Sequence, residues 1–289
     1  MIFKNILVVY KKSAYRIYFE NKASSFHGMK NAFYKSEIKK FKKSHDAHYN
    51  TLNYVTSTLR SCDISFTENY RGRTLDYSKY DLIITVGGDG TFLETARKIN
   101  NQTILGVNSA PSFSVGNYCV ATKVNFEKLL KNIISNKFKI KEMHRLNVSF
   151  ENKKESQLFL NDLLICHANP AALYRYSIKL NQKNEEQRSS GLWVSTASGS
   201  SAAIKSAGGQ PLSPYVKKFQ YKPRELHQGL FPTYELKGKI LQKNDVLKIT
   251  TLVRKGNVYF DGAHHKVVLD YGDTLTIKMV NKPIRTIVL

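Results

Sequence analysis

The chain has 289 residues, 42% of them hydrophobic and spread along its length, which bounds it to one or two globular domains and excludes a disordered protein. No apolar run approaches the ~18 residues of a membrane-spanning helix, so no membrane role is expected. Lys and Arg number 45 against 22 Asp and Glu, a formal net charge of +23. The basic residues are scattered, and three readings stand: a lysine-rich composition, a surface that handles polyanions such as nucleotides, or nucleic-acid binding, the last with no RNA- or DNA-reading motif beside it.

In chain order, KNILVVY (4–10) reads as a first β-strand, too short for a signal peptide and without a small-residue cleavage site. A polar stretch holding Gly28 follows. From 29 to 60, Phe33, Ile38, Phe41, Leu52, Val55 and Leu59 fall at helical spacing, which predicts one long helix or two broken ones. Its segment KSEIKKFKKSH (35–45) reads as a solvated basic face. DISFTE (63–68) predicts a short strand. DLIITV (81–86) lacks alternation and predicts a strand buried on both faces. A helix over 91–99 and the strand TILGVNS (103–109) complete an α/β domain, 1–122, with an open, mostly parallel sheet.

Beyond residue 122 the pattern changes. One helix, 125–138, precedes short alternating runs separated by turns such as Lys255-Gly256-Asn257 and Tyr271-Gly272-Asp273. These predict a C-terminal β-rich domain over 123–275, antiparallel and sandwich-like, with a single helix over 198–209. The tail, about 276–289, is expected to pack back on the first domain. Cys62, Cys119 and Cys166 stand far apart with no CxxC spacing, which suits free thiols in a reducing cytoplasm and no zinc site. The adjacent His264 and His265 cannot easily share one ion and are expected at the surface. The C-terminal PIRTIVL carries no address signal.

Three stretches carry chemistry. In VGGDGT (86–91), Gly87, Gly88 and Gly90 are expected to turn with positive φ and let a ligand approach the backbone. Their amides and the following helix start make an anion cradle. It is neither a Walker A loop nor GxGxxG, and it supplies no lysine. It supplies Asp89. A carboxylate among phosphates is tolerable when Mg²⁺ or a substrate hydroxyl stands between, the arrangement for phosphoryl transfer to a hydroxyl. The plain alternative is a glycine turn with Asp89 capping the helix. Asn161-Asp162 interrupts an apolar strand context, where a carboxylate suits vicinal ribose hydroxyls; an Asx turn is the alternative. RSSGLWVSTASGSSAAIKSAGG (188–209) runs from a strand into a helix expected to start near Ser198 and stop at Gly208-Gly209. Its small first turn lets a ligand lie close, or serves only close packing. Asp261-Gly262 reads as a plain hairpin turn.

Together these stretches resemble the NAD kinase family, in the family's order and at about its spacing, with ILGVNSAP, RSSGLWVSTA and FQYKPREL nearest in pattern to the plant NADH kinase branch. The resemblance implies an α/β domain, a β-rich domain and an active site between them. NAD⁺ or NADH would be phosphorylated at the adenosine 2′-hydroxyl by ATP, with Mg²⁺ carried by ATP and no metal site of protein ligands alone, or by polyphosphate. Asp89 is implied as catalytic base, and Gly87, Gly88, Gly90 and Thr91 as phosphate-binding. The implied dinucleotide-binding set is Asn161, Asp162, Arg188, Ser190, Thr196, Ser198, Gly199, Ser200, Ser201, Ala202 and Ala203. A homo-oligomer, dimer or tetramer, in the cytoplasm is also implied. Where the common bacterial pattern has an acid and a tyrosine, this chain has Ser190 and Ala203, so NADH is expected to serve at least as well as NAD⁺. The rival readings are a GGDGT-type lipid kinase acting on diacylglycerol or a sphingoid base, and a catalytically silent dinucleotide sensor.

Overall fold

The computed structural model describes residues 2–20, 32–153, 155–227 and 234–288, with the side chains of 32–34 left out. Gly28 and the expected helix start at 29–31 lie outside the described residues. The chain divides into two compact units, residues 1–141 with 284–289, and 142–283.

In chain order the first unit holds β1 (Ile6–Tyr10), α1 (Ala32–Ser61), β2 (Phe66–Tyr70), β3 (Leu82–Gly87), α2 (Asp89–Ala96), β4 (Thr103–Asn108), β5 (Ala121–Thr122) and α3 (Phe126–Ile134). The strand β6 (Lys139–Met143) carries the chain across the division. The second unit holds β7 (Leu146–Phe150), β8 (Ser156–Phe159), β9 (Asp162–His167), β10 (Tyr174–Leu180), β11 (Lys183–Ser189), β12 (Gly191–Thr196), α4 (Ala203–Ser206), β13 (Lys218–Arg224), β14 (Lys239–Gln242), β15 (Val246–Thr251), β16 (Gly256–Phe260), β17 (Lys266–Leu269) and β18 (Thr274–Met279). The last strand, β19 (Ile284–Val288), belongs to the first unit.

The first sheet runs β2-β1-β3-β4-β19-β6, with β5 also on β4. The pairs β1–β2, β1–β3, β3–β4, β4–β19 and β4–β5 are parallel. β3 and β4 are buried at every residue, as their unbroken apolar runs require. α1 and α3 share one core with Ile6, Val8, Ile84, Val86 and Leu105. Phe92 of α2 lies against Gly106, whose sequence neighbours Leu105 and Val107 point to the other face. Helices thus cover both faces of the sheet.

The division falls at 141/142, where composition suggested residue 122. The reason is α3. Its Phe126, Leu129, Leu130 and Ile133 are all buried in the first core. Four such side chains contribute roughly 1.5–3 kcal/mol each, far more than a change of composition can override. The returning tail is also shorter than expected. β18 stays in the second unit, and only 284–289 rejoins the first. The strand expected at 63–68 is displaced to 66–70, because Asp63 takes φ +53° and closes α1 instead.

The second unit is a sandwich of two six-stranded sheets, β11-β10-β15-β18-β7-β8 and β14-β13-β12-β9-β16-β17. Their pairings are antiparallel throughout. Alternate residues from both sheets, such as Val148, Ile178, Leu163, Val194 and Val258, form one core. The three cysteines are free thiols. No helix among the described residues is long and apolar enough to cross a membrane.

One buried polar link in the first unit fixes the strand ends. His48 of α1 is 1% exposed. Its Nε2–H donates to the Lys11 carbonyl at 2.8 Å, so Nδ1 accepts from the Ser109 hydroxyl, also at 2.8 Å. Thr51 adds a hydroxyl bond to the Ser109 carbonyl at 3.0 Å. Burial, and then the Lys11 charge, push the His48 pKa down to about 4. Below pH 6.5 the unfolded imidazole takes a proton that the buried one refuses. Stability therefore falls as pH drops from 6.5 to about 4, by roughly 3 kcal/mol, and the loss stops below that. Denaturant midpoints across this window are expected to show that slope, and His48→Gln to flatten it.

Candidate active site

In the first unit the site begins where β3 becomes α2. Gly87 ends the strand, Gly88 caps the helix, and Asp89 opens its first turn. Contrary to expectation, none of Gly87, Gly88 and Gly90 has a positive φ; Gly88 is extended at φ −120°, ψ −165°. The glycines answer to space instead. A Cβ on Gly87 would collide with the Thr91 hydroxyl, and one on Gly88 would lie 3.2 Å from Ser114 Oγ. On Gly90 it would meet only the Arg71 guanidinium, at an ordinary 3.7 Å. Gly90 is exposed, so neither conformation nor internal packing explains its bareness. Close approach of something from outside does. By helix geometry the amides of Asp89 and Gly90, the first two of α2, have no intrahelical acceptor and are available to an anion.

Thr91 does not present its hydroxyl there. It is 1% exposed, and its Oγ1 has no hydrogen-bond partner among the described residues. Its side chain seats against Gly87, and its amide donates to the Gly88 carbonyl at 2.9 Å.

Asp89 is half-buried, and its Oδ1 accepts the Tyr118 amide at 2.9 Å. Tyr118 is itself stacked on Phe92, with ring centroids 5.1 Å apart. The adjoining Cys119 thiol is pushed up to about 12 by burial and then by the Asp89 charge. It stays protonated and is no rival nucleophile. The loop that carries Tyr118 is organised by Asn108, which is 3% exposed. Its Nδ2 donates to the Ser114 and Val115 carbonyls at 2.9 and 3.3 Å. Its Oδ1 accepts from the Ala110 amide at 3.2 Å and the Ser114 hydroxyl at 3.0 Å. Sequence reasoning did not single out Asn108. A lone amide at the end of a wholly apolar strand was the available signal.

In the second unit, residues 160–162, 195–200 and 261 come together. Thr196 Oγ1 and Ser198 Oγ donate to the Leu160 carbonyl at 2.5 and 2.8 Å. The Thr196 amide donates to the Asn161 carbonyl at 3.1 Å. A Cβ on Gly199 would collide with that same carbonyl, so this glycine serves close packing. Ser200, 1% exposed, donates to Ala197 O and accepts the Leu212 amide, both at 2.7 Å. These commitments displace the expected helix start. Residues 197–201 form turns, and α4 begins at Ala203 after Ala202 takes a non-helical ψ of −141°. Ser201 is exposed, and Asn161, Ala202 and Ala203 are half-exposed.

Asp261 is more than a hairpin turn. It does sit in the β16–β17 turn, at φ +48°. Its carboxylate accepts the Leu160 and Asn161 amides at 3.1 and 2.7 Å, and its own amide donates to the Asp162 carbonyl at 2.9 Å. Asp162 is 6% exposed; burial and then the Asp261 charge push its carboxyl up to about 7. Arg145, fully buried, donates from Nε to the Lys282 carbonyl at 2.7 Å. Burial lowers its pKa to about 10, and Asp261 opposes that fall. Asp261 read in sequence only as a turn residue and Arg145 was not singled out, because partners about 100 residues apart leave no local spacing. Of the two histidines beyond the turn, only His264 is exposed; His265 is half-buried beside Gln157, at 3.2 Å.

Arg188 and Ser190 are not part of this cluster. Arg188 is exposed on β11, and Ser190 lies in the turn before β12, its amide on the Arg224 carbonyl at 3.0 Å. Thr196 is at the far end of β12, about 20 Å from Ser190 at the usual rise per residue. A groove of about 550 Å³ lies along this region, lined by Trp193, Ala203, Ser206, Ala207, Arg224 and Glu225. Among the described residues, no three His, Cys, Asp or Glu side chains are grouped to hold a metal ion.

A bare strand-to-helix turn with one oriented carboxylate, on a parallel sheet joined to a β-sandwich, is an arrangement suited to a phosphotransferase. A family model described as the ATP-NAD kinase N-terminal domain matches residues 4–138. The chain is 31% identical over 271 residues to the Probable NADH kinase of Oryza sativa subsp. japonica, covering 84% of this chain and 81% of that one. It is 31% identical over 230 residues to the NADH kinase of Arabidopsis thaliana, covering 68% and 69%. Its fold is similar to that of an NAD kinase from Archaeoglobus fulgidus solved in complex with ATP, with TM-score 0.68 and 20% identity over 98% of this chain and 92% of that one. Yeast NADH kinase, solved with NADH, gives TM-score 0.74 and 16% identity over 100% and 84%. The chain belongs to the NAD kinase family, whose activity is the phosphorylation of NAD(H).

Removing the Asp261 carboxylate strips the acceptor from two amides. Asp261→Ala is expected to cost about 1–3 kcal/mol in a denaturation midpoint and to raise KM for the dinucleotide. Asp261→Asn, which keeps one acceptor oxygen, is expected to recover most of both.

Proposed function

We propose that the protein transfers the terminal phosphoryl group of ATP to the 2′-hydroxyl of the adenosine ribose of NAD(H), with Asp89 as general base. The observation that carries this reading is the Asp89 carboxylate, oriented by the Tyr118 amide and placed one residue before the exposed, bare Gly90. Backbone amides of the turn hold donor phosphates. Asp89 takes the proton from the attacking hydroxyl as its oxygen bonds to phosphorus and the bond to the ADP oxygen breaks. Such a reaction depends on positioning and charge more than on covalent chemistry, so a cradle and one carboxylate suffice. Asn161 and Asp162 bind the adenosine part, with Asp261 and the Thr196–Ser198 hydroxyls holding their backbone in place. Buried Asp162 sits near its titration point at neutral pH, suited to hydrogen bonding with ribose hydroxyls. Ser201, Ala202 and Ala203 are the accessible part of the small-residue segment and contact the dinucleotide. Ser198, Gly199 and Ser200 act from beneath it, and Arg188 and Ser190 serve a different part of the ligand from Asn161.

The donor set fits Mg²⁺ in a limited way. The phosphate oxygens of ATP would hold a magnesium ion carried in with it, which would leave the Asp89 carboxylate beside them free to act as base. When bound, the ion neutralises donor charge. A homo-oligomer, dimer or tetramer, in the cytoplasm is the setting this reading implies, and sedimentation velocity measures the oligomer.

Purified protein is expected to form NADP(H) from Mg-ATP, with inorganic polyphosphate as the comparison donor. Asp89→Asn is expected to lower kcat by ~10²–10⁴ while both KM values stay within a few-fold; activity within a few-fold of wild type would remove Asp89 as the base. With Ser190 and Ala203 in place of an acid and an aromatic ring, little favours the cationic nicotinamide. The kcat/KM for NADH is therefore expected to equal or exceed that for NAD⁺, and a clear preference for NAD⁺ would count against this assignment.

A further inference from the structure

The four strands β2-β1-β3-β4 are parallel and end at one edge of the first sheet. The chain leaves β1 for β2 on one side and returns to β3 on the other, so the order switches at β1/β3, the place where open α/β sheets bind ligands. The residue after β1 is Lys11, and the residue after β2 is Arg71. Their backbones are joined at this edge, where the Arg71 amide donates to the Tyr10 carbonyl at 2.9 Å. The sequence motif lacks the lysine of a Walker loop; the tertiary fold brings two cations to it from other strands.

Arg71 lies over the turn. Its Nε is 3.2 Å from Glu94 of α2, and its NH1 is the nearest atom to the open side of Gly90. Lys11 is half-buried, unlike the exposed Lys12, which rests on the Tyr70 ring. The charged or titratable groups that face Lys11 are Arg71, the Cys119 thiol and the His48 imidazole, and Cys119 in turn feels Asp89. No carboxylate forms an ion pair with Lys11 among the described residues. Burial and the Arg71 charge both lower the Lys11 pKa. The His48 bond to the Lys11 carbonyl holds the backbone in place. A half-buried ammonium that faces a guanidinium, and has no carboxylate partner of its own while Glu94 pairs with Arg71, is unfavourable in the free protein and is relieved by an anion beside it.

We infer that Lys11 and Arg71 grip the polyphosphate chain of the donor over the Gly87–Gly90 turn, an inference that rests on the kinase reaction proposed above. Arg71, forked and already fixed by Glu94, orients the chain; Lys11 acts as a point charge on it. Neither takes a proton in the reaction.

The test uses the full-length enzyme and two readouts: steady-state kinetics, and calorimetric titration with inorganic tripolyphosphate. Lys11→Met is expected to raise KM for Mg-ATP and weaken tripolyphosphate binding by roughly tenfold or more, the loss of one charge-assisted hydrogen bond. KM for the dinucleotide and Tm should stay near wild type. Lys11→Arg should restore most of the donor affinity, and the control Lys12→Met should change neither readout. Arg71→Lys, which keeps the charge but not the fork, should weaken the donor less than Arg71→Met. Donor KM and tripolyphosphate affinity within twofold of wild type in Lys11→Met would overturn the inference, as would an equal rise in dinucleotide KM. If wild type turned over no donor, the kinase reading would fail on its own, and the tripolyphosphate titration would still decide whether these cations bind polyphosphate.

Discussion

Gly87 carries no side chain, and Thr91 fills the space that one would take. This contact lets α2 start two residues after β3 ends, with a single capping glycine between. A longer connection would swing the helix start away from the strand ends. With this one, the first amides of α2 and the Asp89 carboxylate share the edge at which β1, β2 and β4 also finish. Much of the chemistry of the first unit follows from that geometry. The hydroxyl of Thr91 loses its hydrogen bond in the process, a cost of order 1–3 kcal/mol that close packing must offset.

Around that turn the polar bonds serve to hold backbone. Asn108 makes four of them, two donated and two accepted, and thereby shapes the loop that delivers the Tyr118 amide to Asp89. His48 ties α1 to the ends of β1 and β4. The second unit uses the same device with different groups. Hydroxyls of Thr196 and Ser198 and the carboxylate of Asp261 occupy the carbonyl and amides of Leu160 and Asn161. Several serines that invite a direct role with ligand are therefore supports, and the accessible contacts are fewer than the motif suggests.

The large positive charge divides into two populations. Most lysines are exposed, and surface ion pairs such as Lys131–Glu127 and Lys40–Glu37, at helical spacing, stabilise little. Lys11 differs because it is half-buried and faces another cation. The distinction matters for function: a solvated lysine contributes to the general field around the protein, whereas a half-buried one acts at a fixed place.

By itself the sequence determined the elements whose signals are local. The unbroken apolar run at 81–86 announced a strand covered on both faces. The alternating runs beyond residue 139 announced antiparallel sheets, and the glycines around Asp89 marked the turn as chemical. A resemblance carried by several separated motifs pointed to the family. Tertiary structure alone decided what depends on distant partners. It assigned α3 to the first unit, because four apolar side chains needed the core made by α1 and β3. It gave Gly87 and Gly88 their reasons, which are the close neighbours Thr91 and Ser114 and not positive φ, and left Gly90 open to solvent. It shortened α4, because the Thr196 and Ser198 hydroxyls near its start found the Leu160 carbonyl in the turn between β8 and β9. It set Asp261 against residues 160–162, brought Arg71 over Gly90 and placed Lys11 at the same sheet edge. Periodicity and propensity are read within a few residues, whereas satisfying a buried polar group is settled by whichever partner the folded chain brings within about 3 Å.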